Sequence, residues 1–214
     1  MIGKLALALA AAAAMGTAQA DVLLIENFDD VDALAPGWVL DNRGTQPSVA
    51  PGWVQGNPLA FAAHEGAPDA YIASDFQTAV DNGQLDNRLF TPLFSLEQGA
   101  YASFWLRGGD DPGYSDMVVY GYTEGSVDPL EFVMQRDVTA PIGEWTRFTL
   151  TIGAQAGMGR LGFIHTGQQA TANYVALDTL RVDTLPQGDV PEPASMLLLG
   201  LGMGGIALAR RRRS

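Results

Sequence analysis

The sequence predicts an all-β fold: an antiparallel β-sandwich of jelly-roll type, flanked by an N-terminal signal peptide and a single C-terminal transmembrane helix. Three observations point there. Short runs rich in β-branched and aromatic residues recur along the middle of the chain, turn-forming Gly, Pro, Asp and Asn fill the gaps between them, and that middle shows no helical period.

Taken in order, the runs are 22–28, 37–40, 71–74, 88–96, 101–107, 117–123, 130–135, 146–152, 160–165 and 174–182. In Trp145-Thr146-Arg147-Phe148-Thr149-Leu150-Thr151-Ile152 the sequence switches faces at nearly every step, the pattern of a strand buried on one side. Asp81-Asn82-Gly83 and Asp110-Asp111-Pro112-Gly113 lie between runs and bend the backbone, because Gly and Asn tolerate positive φ and Pro fixes φ at about −65°. Strands at this spacing without helices between them pair antiparallel. There is no internal repeat and no sign of a second domain, so one sandwich is expected over residues 21–184.

The two ends differ from this body. Residues 1–20 carry one charge at Lys4, an apolar run too short to span a bilayer, and Ala18-Gln19-Ala20, the small-x-small pattern that signal peptidase accepts. A short linker, 185–189, contains Pro186 and Gly188. The segment 190–214 opens with Val190, Pro191, Glu192 and Pro193, continues through uncharged residues 194–209, and reaches the basic cluster Arg210, Arg211, Arg212 and Arg213. As a helix the uncharged stretch spans about 24 Å. Thinning and snorkelling arginines fit that length to a hydrocarbon core of roughly 30 Å. Arginines held inside by the positive-inside preference put the body on the far side of the membrane.

Charge separates the same regions. Between Asp21 and Asp189 seven cations, all arginine, face 23 carboxylates, a formal balance of −16. Such a surface repels phosphate backbones, which argues against nucleic acid as a partner and makes divalent cations plausible ones. The chain has no cysteine, which excludes disulfides, thiol catalysis and thiolate metal sites. A body of about 170 residues buries enough surface to fold without such staples.

Val190-Pro191-Glu192-Pro193, a short Leu- and Gly-rich apolar stretch and the terminal arginines, in that order, resemble the PEP-CTERM sorting signal of Gram-negative bacteria. The resemblance implies recognition by an exosortase, an inner-membrane-anchored intermediate, and a link to exopolysaccharide or biofilm. Pro191 and Pro193 cannot join a helix ladder, so the backbone around Glu192 stays extended for a protease. A second resemblance covers the body. Glu26-Asn27-Phe28-Asp29, Pro36-Gly37-Trp38, Ala70-Tyr71-Ile72-Ala73-Ser74, Asp86-Asn87-Arg88-Leu89-Phe90-Thr91-Pro92, Trp145-Thr146 and the closing Tyr174 to Val182 follow the order of the choice-of-anchor J and cleaved-adhesin domains, which are MAM-like jelly rolls. Where many relatives have Asp-Asn in the last strand, this chain has Asp178-Thr179.

This resemblance implies a structural calcium ion pinning the first strand to the last, held by Glu26, Asp29 and Asp178, with Asp41 a further candidate. Calcium takes six to eight oxygen ligands, which an acidic exported domain can supply. The alternative is that Glu26 and Asp178 simply face solvent. For catalysis the inventory is thin: His64 lies in a loop, His165 ends a run, and no metal-binding HExxH or GxSxG elbow is present. Of the tryptophans, Trp105 and Trp145 are assigned to the core. Trp53, in the loop-like run 48–57, is the candidate for an exposed sugar-stacking ring, against the alternative of an indole folded over a sandwich edge. The expectation is an exported, non-enzymatic adhesion or glycan-binding module. A matrix protein without specific ligand and a secreted glycan-active enzyme are the competing readings.

Overall fold

Alternation of apolar and polar side chains along short strands gives two faces per strand, and the chain satisfies both by stacking two sheets. The computed structural model describes residues 20–48 and 51–186. The signal segment before Ala20, the sorting motif Val190 to Pro193, the apolar stretch that follows it and the arginines Arg210 to Arg213 lie outside the described residues. Among those described, no helix is long and apolar enough to cross a membrane.

The strands are β1 (Val22–Glu26), β2 (Val39–Asn42), β3 (Val54–Gln55), β4 (Ile72–Asp75), β5 (Gln84–Phe90), β6 (Phe94–Ser95), β7 (Ala100–Gly108), β8 (Met117–Thr123), β9 (Met134–Thr139), β10 (Thr146–Ile152), β11 (Met158–Gln168) and β12 (Tyr174–Thr184). Sheet A runs β10-β7-β12-β4-β3, with β1 also paired to β12; sheet B runs β2-β5-β11-β8-β9, with β6 also paired to β11. Every strand pairing is antiparallel. The all-β antiparallel sandwich expected from the sequence is therefore the fold of the body.

One set of side chains from each sheet fills the space between them. Ala102, Phe104 and Leu106 of β7, Leu177 and Val182 of β12, and Leu161 and Phe163 of β11 belong to one buried cluster. Phe104 is its hub, edge-on to Phe163 at 4.9 Å and to Tyr120 at 5.0 Å, and parallel to Phe148 at 6.0 Å. Edge-to-face rings at this separation add about 1 kcal/mol each beyond their buried area.

The runs read as 117–123 and 146–152 are strands over those residues. Two others are corrected. The run read as 88–96 is broken by Thr91-Pro92 into β5 and β6, because proline has no N–H for the ladder. The run read as 130–135 begins instead with a 3-10 turn, Pro129–Glu131. Asp128 caps it, accepting from Leu130 N, Pro129 presets its first φ, and the strand starts only at Met134. Leu130 is consequently 91% exposed. β3 was not legible at all, since two residues carry no period.

The centre of sheet B depends on missing side chains. A Cβ on Gly121 would stand 2.1 Å from the Met134 carbonyl oxygen of the neighbouring strand. Gly121→Ala is expected to lower unfolding free energy by about 1–3 kcal/mol, the usual cost of overpacking, as a fall in the urea midpoint at constant m-value.

Candidate functional site

Parity along β7 places its side chains. Ala100, Ala102, Phe104 and Leu106 point between the sheets, so Tyr101, Ser103, Trp105 and Arg107 stand on the outer face of sheet A. On β10 the corresponding outer residues are Arg147 opposite Trp105, Thr149 opposite Ser103 and Thr151 opposite Tyr101. On β12 they are Asp178 opposite Trp105, Arg181 opposite Ser103 and Asp183 opposite Tyr101.

The segment 56–70 lies over part of this face. Gly56 lets the chain pass the Tyr71 ring, where a Cβ would stand 2.5 Å from Cε1. Phe61 stacks on Tyr71 at 5.4 Å, meets Trp145 and Tyr174 edge-on, and carries the Arg107 guanidinium 4.2 Å above its ring. The His64 imidazole lies on the Trp105 indole at 3.8 Å between centroids. Tyr71 Oη donates to the Asn57 and Phe61 carbonyls, Asn57 N donates to Tyr174 Oη, and Trp145 Nε1 donates to the Ala62 carbonyl. Burial pushes both phenols above their ordinary value, so they remain protonated.

Trp105 and Trp145 are thus corrected from core positions to half-buried rings on the outer face. The signal was present: Trp105 shares its parity with Ser103 and Arg107, whereas Phe104 and Leu106 are the inward residues. Trp53 is corrected in the opposite sense. It is 1% exposed, packed in the main core with Nε1 donating to the Asn87 carbonyl at 3.1 Å, so no indole face is open to a sugar ring. A two-residue strand beside Ile72 and Ala73 draws that loop inward.

Asp178 holds the covering segment down. Its Oδ2 accepts from His64 N at 2.8 Å and Glu65 N at 3.2 Å, and its Oδ1 accepts from Thr179 N at 2.5 Å. The register of β12 against β7 shifts between Asp178 and Arg181, and Thr179 adopts φ 49°, a left-handed conformation costly for a β-branched residue. The solvent-facing alternative for Asp178 is excluded by its complete burial. That burial pushes its carboxyl above the ordinary carboxylate value, and the amide bonds from Glu65, Thr179 and His64 pull it part of the way back.

The calcium trio is only partly gathered. Glu26 pairs with Leu180 across the β12 bulge and accepts from Phe28 N; Asp29 Oδ1 lies beside Gly66, in the same segment that Asp178 binds. Asp41 is ion-paired with Arg43 beyond β2 in the other sheet. Among the described residues no three His, Cys, Asp or Glu side chains stand together as a metal group.

A chain of buried polar groups links the sheets. His165 lies within β11 rather than at a strand end, fully buried, with Nε2 3.0 Å from Asp116 Oδ1 and Nδ1 2.9 Å from Ser74 Oγ. Because a carboxylate only accepts, Nε2 carries the proton; in the neutral ring Nδ1 then accepts the Ser74 hydroxyl. Asn87 Nδ2 donates to Ser74 Oγ and Thr78 Oγ1, and Asp116 also accepts from Asn173 N. The residue types are those of a hydrolase triad, but Ser74 is fully buried and the set works as an inter-sheet clamp. The cleft lined by Pro51, Gly52, Val54, Asp75, Gln77 and Thr78 has a volume of about 220 Å³, below the usual range of small-molecule sites.

Fold and terminal sequence together define an exported β-sandwich protein sorted through its C-terminus. The model of the PEP-CTERM protein-sorting motif matches residues 189–213. Among solved structures, the K3 cleaved adhesin domain of Lys-gingipain from Porphyromonas gingivalis W83 matches with a TM-score of 0.57 at 21% identity, over 77% of this chain and 99% of that one. The K1 cleaved adhesin domain from the same organism gives 0.57 at 22%, over 74% and 96%, and the K2 domain of Lys-gingipain 0.53 at 15%, over 76% and 99%. At such identities the likeness establishes the fold alone. No curated protein matches the chain in sequence.

A carboxyl whose folded-state pKa is raised binds its proton more tightly in the native state than in the unfolded one. The native state therefore gains stability as pH falls through the raised value and loses it as pH rises. Asp178 and Asp75 are both raised by burial. The melting midpoint should consequently rise on moderate acidification from neutral pH. Asp178→Asn should flatten that slope and cost about 1–3 kcal/mol, since an amide NH2 would face backbone N–H donors.

Proposed function

We infer that this protein is a non-enzymatic adhesion module, displayed at the cell surface or released into the extracellular matrix, which binds glycan on the outer face of sheet A. One observation carries the reading. The face holds tryptophan, tyrosine, serine, threonine and arginine side chains at positions where a sandwich needs none for its core, and it lies on a body attached to a sorting tail. The segment 56–70 forms a wall through His64, and beyond it Tyr101, Thr149 and Thr151, set around the buried Ser103, form a floor of hydroxyls and one half-buried aromatic ring. Hydroxyls and aromatic faces are what pyranose rings contact. The tail implies processing by an exosortase, and the adhesin names of the similar folds and the tail's association with exopolysaccharide agree with this role by analogy.

A structural calcium ion is a secondary proposal, with Glu26, Asp29 and Asp178 as its protein ligands. The support is that Asp29 and Asp178 both border the segment 64–66 and that Glu26 sits opposite the β12 bulge. Against it stand the amide bonds that already occupy both Asp178 oxygens. An ion that binds only the folded state must raise the midpoint of melting. The proposal predicts a rise of several degrees in calcium over chelator, and an unchanged midpoint removes it.

For the main reading, a glycan array probed with the full-length protein in detergent should give a signal, and Tyr101→Ala should reduce it at least tenfold while the protein still melts cooperatively. A blank array for the unaltered protein favours a matrix role without specific ligand. Sugar release from matrix polysaccharide that disappears when one carboxylate is neutralised would establish the enzymatic reading instead.

A further inference from the structure

The open floor of sheet A is distinguished by charge as well as by chemistry. From Trp145 to Leu177 the chain contains no Asp or Glu, although 23 carboxylates lie between Asp21 and Asp189. β10 falls in that segment, and β7, Ala100–Gly108, has no acid of its own, so neither contributes one to this face. The two acids that β12 brings are both engaged. Asp178 is buried under the covering segment, and Asp183 makes a two-point ion pair with Arg181, at 2.7 Å for both Nε–Oδ2 and Nη2–Oδ1.

Arg147 stands at the edge of this floor, exposed, and has no carboxylate partner among the described residues. Arg136 on β9 is also exposed and free of an ion pair, but Asp137 adjoins it in the chain, whereas no carboxylate lies within two residues of Arg147. By register it lies two strands and two residues from Arg181, about 12 Å at ~4.8 Å per strand and ~3.3 Å per residue, with Trp105 and Ser103 of β7 between them. That separation is close to the length of a disaccharide.

A neutral glycan gives no reason to clear acids from one face, because sugar hydroxyls donate to carboxylates as readily as they accept from arginine. A polyanion gives a direct one. We propose that the floor of sheet A binds an acidic polysaccharide bearing uronate carboxylates, with the Arg147 guanidinium as the carboxylate anchor and Arg181, its charge balanced by Asp183, as a further hydrogen-bond donor. Arginine suits this because its planar fork meets a carboxylate with two parallel hydrogen bonds. The net charge of the body does not forbid it: at physiological ionic strength repulsion from carboxylates more than about 8 Å away is largely screened, while contacts at the floor are not. This inference rests on the glycan-binding reading above and specifies the ligand class.

The test is affinity electrophoresis of the full-length protein in detergent, through gels containing either polygalacturonate or the same polymer with its carboxyl groups reduced to alcohols. The expected result is retardation by polygalacturonate, at least tenfold weaker for the reduced polymer and at least tenfold weaker for Arg147→Gln, with Arg43→Gln near sheet B behaving as the unaltered protein. Equal retardation by the two polymers overturns the acidic specificity and leaves glycan binding standing. Retardation by polygalacturonate that Arg147→Gln leaves intact overturns the site. Retardation by neither polymer overturns the inference, and a blank glycan array alongside it overturns the reading on which the inference rests.

Discussion

The arrangement of the outer face depends on one buried carboxylate. Asp178 stands on the central strand of sheet A, in a break of register, and takes amide hydrogen bonds from His64, Glu65 and Thr179. A buried acceptor of this kind is stable only when such donors surround it, and two of the three, His64 N and Glu65 N, come from a segment more than a hundred residues away in sequence. Their pairing decides where the segment 56–70 rests. With it resting there, the half of sheet A carrying Arg107 and Ala176 is covered and the half carrying Tyr101, Thr149 and Thr151 is open.

The burial pattern of β12 records that division. From Tyr174 to Asp178 every residue is buried, because core side chains lie on one face and the aromatic segment on the other; from Thr179 onward burial alternates. The covering segment has a small core of its own, built from Phe61, Tyr71 and Tyr174 with Trp145 packed against it. It is held by ring contacts and phenolic hydrogen bonds rather than by strand pairing. The left-handed Thr179 is tolerated in this setting, since its backbone N–H and hydroxyl both engage the same assembly, the latter 3.1 Å from His64 Nδ1.

At the inter-sheet space the same principle gives a different result. Ser74, His165, Asp116, Asn87 and Thr78 come from both sheets and their loops and form a connected chain in which, among the described residues, only the Asn87 Oδ1 has no partner. A polar network of this kind strengthens its members in a low dielectric and costs a great deal if one is left open. Its composition resembles a nucleophilic triad, yet its burial makes it a structural clamp between the layers. Chemistry directed outward is left to the face of sheet A.

Alternation by itself determined the class of fold. Runs such as 117–123 and 146–152 were legible to the residue because period two is a property of the strand alone, whatever packs on it. The order of residues from Val190 to Arg213 was legible for a similar reason: a sorting tail is read as a linear sequence. Position on a finished face was not, because the parity of a strand says which residues share a side and leaves open which side meets the other sheet. Trp105 and Trp53 show the consequence. The first sits among apolar neighbours yet faces outward, and the second sits in a loop yet faces inward, drawn down by the pairing of β3 with β4. Only the tertiary structure could decide this, because burial depends on contacts between residues distant in the chain, and so could the acid-free floor around Arg147, which exists only where β7, β10 and β12 lie side by side.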